Sequence, residues 1–321
     1  MKTEKKKLLY FTGVSVAAAS VAVSYAATSA MVDLALDRNE PKAAVRAGKS
    51  VSGVKIDQTF LQDVQAASQA LLQKPRKNVA IVSRDGIVLT GHWIPQPNAK
   101  RILIAMHGWR SSWYKDFGMI SPFWAESGCS VLYVEQRGQN ESGGQCMGLG
   151  VMERFDCLDW IDWVIDHFGK DIPIYLAGVS MGATSVLMAG GLPLPPSVHG
   201  IAADCGFTSP MAISKHIAQH NLHMILGPRL RLAAVLWKKK LPIGIGACST
   251  TEALRHCQVP VFLAHGTDDH FVPVEMSYEN YKACRGPKQI FIVPGADHGM
   301  SYYCDREGYE EAALRFWKKY D

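Results

Sequence analysis

The sequence predicts an α/β fold with a mostly parallel central sheet flanked by helices. From about residue 100 to the C-terminus, short apolar runs bounded by glycine or proline alternate with stretches of helical periodicity, which is the pattern of parallel strands joined by helices. One apolar run leads into Gly-x-Ser-x-Gly at 178–182 and then into a small-residue helix, an order typical of a sharp strand-to-helix turn. The alternation argues against an all-α or an all-β fold.

The predicted strands are short apolar segments. Asp85-Gly86 separates two such runs, 79–83 and 87–90, and Asp-Gly between strands is a strong hairpin signal. We therefore expect the sheet to begin with an antiparallel pair. The later runs are the expected parallel strands, at 102–106, 131–134, 174–177, 201–203, 261–264 and 290–293.

Helical periodicity indicates how the rest of the chain is divided. Phe60, Val64, Ala67 and Leu71 predict one short helix ahead of the sheet. Residues 206–247, between the strands near 204 and 261, are rich in leucine, isoleucine and methionine with interspersed basic residues. They predict a small helical cap, the alternative being ordinary buried helices. The predicted domains are a leader at 1–32, a linker with a short helix at 33–78, and a catalytic domain at 79–321.

The leader carries a membrane signal. Of the net charge of +5, +3 lies in the first seven residues, and residues 8–32 then form a run of 25 residues without a charge. Such a run is long enough to cross a bilayer, and a positive N-terminus stays inside the cell. The sequence predicts a single-pass anchor in the cell membrane with the catalytic domain outside the cytoplasm. Small-x-small sites at 24–26 and 28–30 leave a secreted protein, after signal-peptide cleavage, as the alternative.

The remaining composition excludes several classes of protein. Hydrophobic residues make up 48% and charged residues 20% of the 321-residue chain, which is ordinary globular usage. The charge of +2 outside the first seven residues does not suggest a nucleic-acid partner. Eight scattered cysteines without Cys-x-x-Cys spacing predict mostly free thiols rather than a zinc site.

Ser180 is the predicted nucleophile. A strand, Gly-x-Ser-x-Gly and a helix in this order force the serine into a strained turn at the sheet edge. Gly178 and Gly182 on either side allow backbone to approach backbone without a Cβ clash. The N-terminus of the following helix then points its free N–H groups toward the reacting carbonyl oxygen.

A serine hydroxyl needs a base to take its proton and an acid to orient that base. His298 follows the last apolar strand and Asp269 follows the preceding one, so loops at one sheet edge could bring both to Ser180. The chain order Ser, Asp, His is the one expected after a turn of this kind. Asp268 and Asp204 are the alternatives for the acid.

Two backbone N–H groups are the predicted oxyanion donors. Met181 follows the serine directly, and Trp109 lies in the loop after the first parallel strand, where the second donor is expected. His107 in that loop precedes the nucleophile in the chain, and we interpret it as shaping the loop rather than as the base. Asp297 adjoins the predicted base and is interpreted as fixing its loop.

Five motifs occur in a fixed order along the chain. They are His-Gly-Trp at 107–109, Glu-Gln-Arg-Gly at 135–138 with Ser-Gly at 142–143, Gly-Val-Ser-Met-Gly at 178–182, His-Gly-Thr-Asp-Asp at 265–269 and Ala-Asp-His-Gly at 296–299. With them, from about Val79 to its C-terminus, the chain resembles the α/β-hydrolase superfamily. Within that superfamily it resembles bacterial membrane-anchored hydrolases grouped with serine aminopeptidases and monoacylglycerol lipases.

The resemblance implies the α/β-hydrolase fold and places Ser180, Asp269 and His298 at the triad positions. Trp109 and Met181 take the oxyanion positions. The chain departs from the family where Asp-x-Arg-Gly-x-Gly is replaced by Glu-Gln-Arg-Gly-Gln-Asn at 135–140. That stretch shapes the sheet edge, so the departure bears on the pocket more than on the chemistry.

The predicted function is hydrolysis of a carboxylic ester, small or lipid-like, through an acyl-enzyme and without a metal or organic cofactor. Peptidase or amidase, thioesterase and acyltransferase activities remain open because they use the same triad. A non-catalytic binding scaffold is the alternative from another class, and it would be expected to have lost part of the triad.

Three histidines in the predicted cap have a spacing that a metal site could use. His216, His220 and His223 would share one face if 211–226 were helical. The segment has no His-Glu-x-x-His and falls where this fold inserts its lid. We therefore predict no metal site there.

Overall fold

The computed structural model of the chain describes residues 2–39, 58–223, 227 and 229–321, with side chains described from Ala19 onward. Residues 40–57 of the predicted linker therefore lie outside the described residues. The same is true of positions 224–226 and 228 in the predicted cap.

Eight strands form one sheet in the order β1-β2-β4-β3-β5-β6-β7-β8. Their bounds are β1 Lys77–Val82, β2 Val88–Ile94, β3 Arg101–Met106, β4 Cys129–Val134, β5 Ile174–Val179, β6 Val198–Asp204, β7 Val261–Gly266 and β8 Lys288–Val293. β2 is antiparallel to both β1 and β4, and every other pair is parallel. The mostly parallel sheet and the hairpin at its start are thus confirmed.

The described residues contain twelve α-helices around this sheet. They are α1 Lys2–Leu36, α2 Gln58–Leu72, α3 Trp113–Phe117, α4 Ser121–Glu126, α5 Glu153–Phe168, α6 Met181–Ala189, α7 Pro210–His216, α8 Arg229–Lys240, α9 Thr250–His256, α10 Glu275–Ala283, α11 Ser301–Cys304 and α12 Arg306–Tyr320. The short helix expected ahead of the sheet is α2.

Apolar side chains cover both faces of the sheet, because alternate residues of a strand point to opposite faces. On β3, Ile104 packs in a core with Trp160 of α5. Its neighbour Leu103 packs on the other face with Phe316 and Trp317 of α12. The three layers follow from strands that are buried on both sides.

The first helix is longer than the uncharged run of the leader. α1 continues through Asp33 to Leu36, so the first residues assigned to the linker are helical. By length and composition, Ala19–Leu36 could span a membrane. Thr28, Val32 and Leu36 are buried, and because residues at i, i+4 and i+8 share one helix face, this end of α1 packs against the protein.

Helices α7 and α8 lie between β6 and β7, in the segment predicted as a cap. Ser209 caps α7 by accepting a hydrogen bond from the Ala212 N–H, at 3.1 Å. A π-helical turn at Ile217–Asn221 follows α7, and His223 lies beyond it with a φ of +51°. The condition under which the three histidines would share one helix face is therefore not met, because the helix changes pitch and ends before His223.

Arg137 ties the first hairpin to the helical layer. Its guanidinium forms paired hydrogen bonds with Asp156 of α5, at 2.7 and 2.5 Å, and with Asp85 of the β1–β2 turn, at 2.7 and 3.1 Å. Both Arg137 and Asp156 are 3% exposed. Removing one partner of such a pair leaves a charge buried without compensation.

We expect Arg137→Met to lower the free energy of unfolding by about 3–5 kcal/mol. The matched control is Arg84→Met, because Arg84 pairs with Asp159 on the same helix while its side chain is 43% exposed, and loss of an exposed pair costs about 0–1 kcal/mol. Denaturant unfolding of both variants checks this. Equal losses would mean that burial does not set the strength of the Arg137 contacts.

Candidate active site

The predicted nucleophile lies on a strained turn between β5 and α6. Ser180 has φ of 55° and ψ of −115°, a conformation that costs free energy for a residue with a side chain. A Cβ on Gly182 would overlap the Met106 carbonyl, and a Cβ on Gly178 would overlap the backbone of Gly182. Both glycines are therefore required for the turn to close against β3.

His298 and Asp269 meet Ser180 at the carboxyl edge of the sheet. His298 Nε2 is 2.9 Å from Ser180 Oγ, and His298 Nδ1 is 2.7 Å from Asp269 Oδ2. Asp269 follows β7 and His298 follows β8. The carboxyl ends of parallel strands share one edge, which is why three residues distant in sequence form one hydrogen-bonded chain.

Asp269 is buried and is held by several donors. Its Oδ1 accepts the N–H groups of Phe271 and Val272, at 2.9 and 2.7 Å. His265 Nε2 lies 3.0 Å from Asp269 Oδ2. Burial alone would raise the pKa of Asp269, but the charge of His298 and the hydrogen bonds from both imidazoles lower it below its usual range. The carboxylate is therefore ionised at neutral pH.

The alternative acids do not contact the base. Asp268 is exposed, and its carboxylate accepts the Thr267 hydroxyl at 2.7 Å. Asp204 is buried and accepts the Ser301 hydroxyl at 2.9 Å, and burial raises its pKa. Asp297 accepts the backbone N–H groups of His270 and His298, at 3.0 and 2.7 Å, which is the loop-fixing position expected of it.

His298 is positioned to exchange a proton. Burial disfavours its charged form, but a hydrogen bond with Cys205 and the carboxylate of Asp269 raise the pKa of His298 well above 6.5. Burial raises the pKa of Cys205 itself to about 11, so this thiol is neutral at neutral pH. Asp269 is therefore the charge that stabilises the imidazolium.

The loop after β3 lies beside the serine. A Cβ on Gly108 would lie 3.3 Å from the Cβ of Ser180, and Trp109 lines the same cavity as Ser180 and His298. Met181 is the first residue of α6, where N–H groups have no acceptor within the helix. Met181 thus adjoins the serine in the chain and Trp109 lines the same cavity, while their roles as oxyanion donors stay predictions.

The stretch that departs from the family pattern supports this loop. Asn140 donates to Glu135 Oε2 at 2.6 Å, so the two departing residues contact each other. Glu135 Oε2 also lies 3.1 Å from Nε2 of His107, and Asn140 donates to the Ser111 carbonyl at 2.8 Å. His107 contacts the loop and Glu135, as expected for a loop-shaping residue.

The C-terminal end of α1 is bound by the same loop. The Trp109 indole donates to the Ala35 carbonyl at 3.0 Å, and Arg110 donates to the carbonyls of Leu34 and Asp37 at 2.9 and 2.7 Å. The last carbonyl groups of a helix receive no hydrogen bond from within the helix, and a nearby cation stabilises them. The helix that carries the membrane signal therefore contacts the residues around Ser180.

Two cavities meet at Ser180. One of about 480 Å³ extends from His298 and the β3 loop over the sheet to Trp317. The other, of about 120 Å³, is almost entirely apolar and is bounded by α1, α7 and α8. A substrate bound across the serine would occupy both.

Sequence reasoning missed several residues of the site. His265 contacts Asp269, and although it begins the His-Gly-Thr-Asp-Asp motif, the sequence predicts no role for it. Cys205 belongs to no motif, but it directly follows β6 and lies beside Asp269 and His298. The contacts of Arg110 with α1 span more than 70 residues, and no local pattern encodes them.

Comparison with known proteins agrees with this architecture. A family model described as X-Pro dipeptidyl-peptidase (S15 family) matches residues 55–221, just over half of the chain, including Ser180. The uncharacterized protein YqkD of Bacillus subtilis is 23% identical over 244 residues, covering 76% of this chain and 80% of that protein. YfhR of Salmonella typhimurium, also described as uncharacterized, is 25% identical over 251 residues, with 75% and 80% covered.

Solved structures share the fold. The esterase Pf2001 of Pyrococcus furiosus superposes with a TM-score of 0.62 at 22% identity, covering 78% of this chain and 95% of that one. The acylaminoacyl peptidase of Pyrococcus horikoshii gives a TM-score of 0.57 at 15% identity, with 78% and 43% covered. The predicted α/β-hydrolase fold is therefore confirmed.

We expect Gly182→Ala to lower the thermal unfolding midpoint by at least roughly 8 °C, because its Cβ would overlap the Met106 carbonyl and force α6 away from β3. The control is Gly246→Ala, where an added Cβ has no neighbour within 4 Å. An unchanged midpoint in Gly182→Ala would show that the close contact between α6 and β3 is not required.

Proposed function

The chain belongs to the X-Pro dipeptidyl-peptidase (S15) family and is a serine hydrolase, and we propose that it cleaves carboxylic esters through an acyl-enzyme on Ser180. The observation that carries the proposal is the hydrogen-bonded chain from Ser180 through His298 to Asp269, at 2.9 and 2.7 Å. A base that accepts the hydroxyl proton and a buried carboxylate that orients the base are what a serine nucleophile requires.

In the proposed mechanism, Ser180 Oγ attacks the ester carbonyl carbon while His298 Nε2 takes the hydroxyl proton. The N–H groups of Trp109 and Met181 stabilise the negative oxygen of the tetrahedral intermediate. His298 returns the proton to the leaving alcohol, and the C–O bond to the alcohol breaks. Water, deprotonated by His298, then attacks the acyl carbon. The bond from that carbon to Ser180 Oγ breaks, His298 returns the proton to Oγ, and the acid is released. Asp269 stabilises the imidazolium in both steps.

A peptidase acting on free N-termini is the second candidate, and the family description favours it. Recognition of an N-terminal ammonium requires a carboxylate in the binding cavity. Among the described residues that line the apolar cavity, Arg229 is the only ionisable one. Two carboxylates line the larger cavity. Asp116 already accepts the Gly108 N–H and the Ser111 hydroxyl, at 2.6 and 2.5 Å, and Asp204 accepts the Ser301 hydroxyl at 2.9 Å. These observations favour an ester with an apolar acyl group.

The location of the enzyme is part of the proposal. We infer a single-pass membrane protein with residues 79–321 as the catalytic domain, 206–247 as its cap, and the active site outside the cytoplasm. Retention of the anchor is supported because both small-x-small sites fall within α1, and Thr28, the first residue of the second site, is buried. A cleavable site has to unfold before it can be cut. Secretion after cleavage is the alternative.

We expect a fluorophosphonate probe to label the wild type and to leave Ser180→Ala unlabelled, with ester hydrolysis reduced by at least about 10⁴-fold. Ser127→Ala is the control, because Ser127 follows α4 beside Arg101, at the opposite edge of the sheet. Labelling that persists in folded Ser180→Ala would refute the assignment of the nucleophile. Complete inertness of folded wild type would favour a binding scaffold.

The pH profile tests the roles of His298 and Asp269. His298 must be neutral to accept a proton, so activity is lost as pH falls through its raised pKa, and kcat/KM should reach half its maximum above about pH 6.5. Asp269→Asn removes the charge that raises this pKa. The midpoint should move to lower pH, and kcat should fall by about 10⁴-fold.

Asp268→Asn is the matched control for this substitution, because Asp268 adjoins Asp269 but is exposed. Its profile should overlay that of the wild type. If Asp269→Asn left the midpoint in place, Asp269 would not be the partner of the base.

A further inference from the structure

The apolar cavity at Ser180 is built between two helices, one of which carries the membrane signal. α1 contributes Thr28, Met31, Val32, Leu34 and Ala35 to its wall, and α8 contributes Arg229, Leu230, Ala233 and Trp237. Ser180 and Trp109 lie at the same cavity. The end of the leader helix is therefore a wall of the substrate site.

α1 and α8 run side by side in the same direction. At one end Arg229 donates to the Ser24 hydroxyl at 2.9 Å. At the other end Lys240 forms ion pairs with Asp33 and Asp37, at 2.9 and 2.5 Å. These contacts fix both ends of the helix pair, and the apolar cavity lies between them.

The length of α1 determines how far the cavity lies from the bilayer. Burial against the protein begins near Thr28, whereas Val21 and Val23 are 69% and 67% exposed. The uncharged residues that precede Thr28 are 8–27, and 20 helical residues span about 30 Å, the thickness of the hydrocarbon core. The bilayer should therefore end where the cavity begins.

We propose that the apolar cavity holds the carboxyl-proximal methylenes of the acyl chain of a membrane-resident lipid ester, which reaches Ser180 directly from the bilayer between α1 and α8 while the rest of the chain stays in the bilayer. This inference rests on the proposed ester hydrolysis and adds the substrate class and its route. α1 then serves both as the anchor and as one wall of the acyl site.

The charges around the cavity fit an entrance at the lipid surface. Arg229 and Arg231 lie at the end of α8 that contacts Ser24, four residues before Thr28. Arginine at this depth places its guanidinium among lipid headgroups while its stem contacts apolar surface. A soluble polar ester would gain no binding free energy from the apolar wall of the cavity. Each methylene of a lipid chain that is buried there contributes about 0.8 kcal/mol of binding free energy.

The route is tested with the full chain in vesicles of phosphatidylethanolamine and phosphatidylglycerol. p-Nitrophenyl palmitate is placed either in the same vesicles as the enzyme or in separate ones, and water-soluble p-nitrophenyl acetate serves as the reference. We expect palmitate hydrolysis to be at least tenfold faster in the shared vesicles, with equal acetate hydrolysis in both arrangements. Equal palmitate rates in the two arrangements would overturn the route from the bilayer.

The acyl site is tested by filling the cavity from each wall. Ala35→Phe on α1 and Ala233→Phe on α8 should each lower the ratio of palmitate to acetate hydrolysis at least tenfold. Ala30→Phe is the matched control, because Ala30 lies on α1 but is exposed. Its ratio should equal that of the wild type.

Fluorophosphonate labelling of Ser180 in every variant separates this inference from the proposed function. If the variants of both walls label normally and keep the wild-type ratio of palmitate to acetate hydrolysis, the acyl site alone would be overturned. Wild type that does not label at Ser180 would overturn the proposed function and the inference with it. Two opposing walls keep the test decisive if one variant fails to fold.

Discussion

The close contact between α6 and β3 fixes Ser180, the start of α6 and the loop at Gly108 relative to one another. No side chain fits between Gly182 and the Met106 carbonyl, so the helix that follows Ser180 begins directly against the end of β3. The same contact sets the loop at Gly108 beside the serine. Ser180 accepts a strained backbone conformation because the sheet and α6 determine both sides of the turn.

The second requirement is electrostatic. An isolated buried carboxylate would be neutralised, because burial disfavours its charge. Asp269 remains ionised because two backbone N–H groups and two imidazoles contact it. The N–H groups come from Phe271 and Val272, which immediately follow it, so the local turn that presents the carboxylate also solvates it. The geometry of the site and the charge state of its acid thus have the same local origin.

The sheet and the residues that meet at Ser180 could be predicted because their signals are local. Apolar runs mark the strands, and parallel strands bring their carboxyl ends together, so Asp269 and His298 could be expected at one edge before any coordinates. The packing of the end of α1 against the catalytic domain could not be predicted, because its small and apolar residues are equally typical of a membrane span and of a protein core. One signal was available: Thr28, Val32 and Leu36 recur at helical spacing and flank Asp33, a charge unsuited to a lipid-facing helix.

Trp109 and Arg110 connect the C-terminal end of α1 with the loop beside Ser180. The backbone of Trp109 belongs to the loop beside Ser180, while its indole and the neighbouring guanidinium hold the last carbonyls of α1. A displacement of α1 would therefore move the loop that carries a proposed oxyanion donor, and donors of this kind act only when they are correctly placed in advance. Because the same displacement would open the wall of the apolar cavity, the proposed lipid binding and the proposed oxyanion geometry both depend on one docked helix. If α1 is the proposed anchor, we expect the enzyme to be most active where the bilayer holds this helix in place.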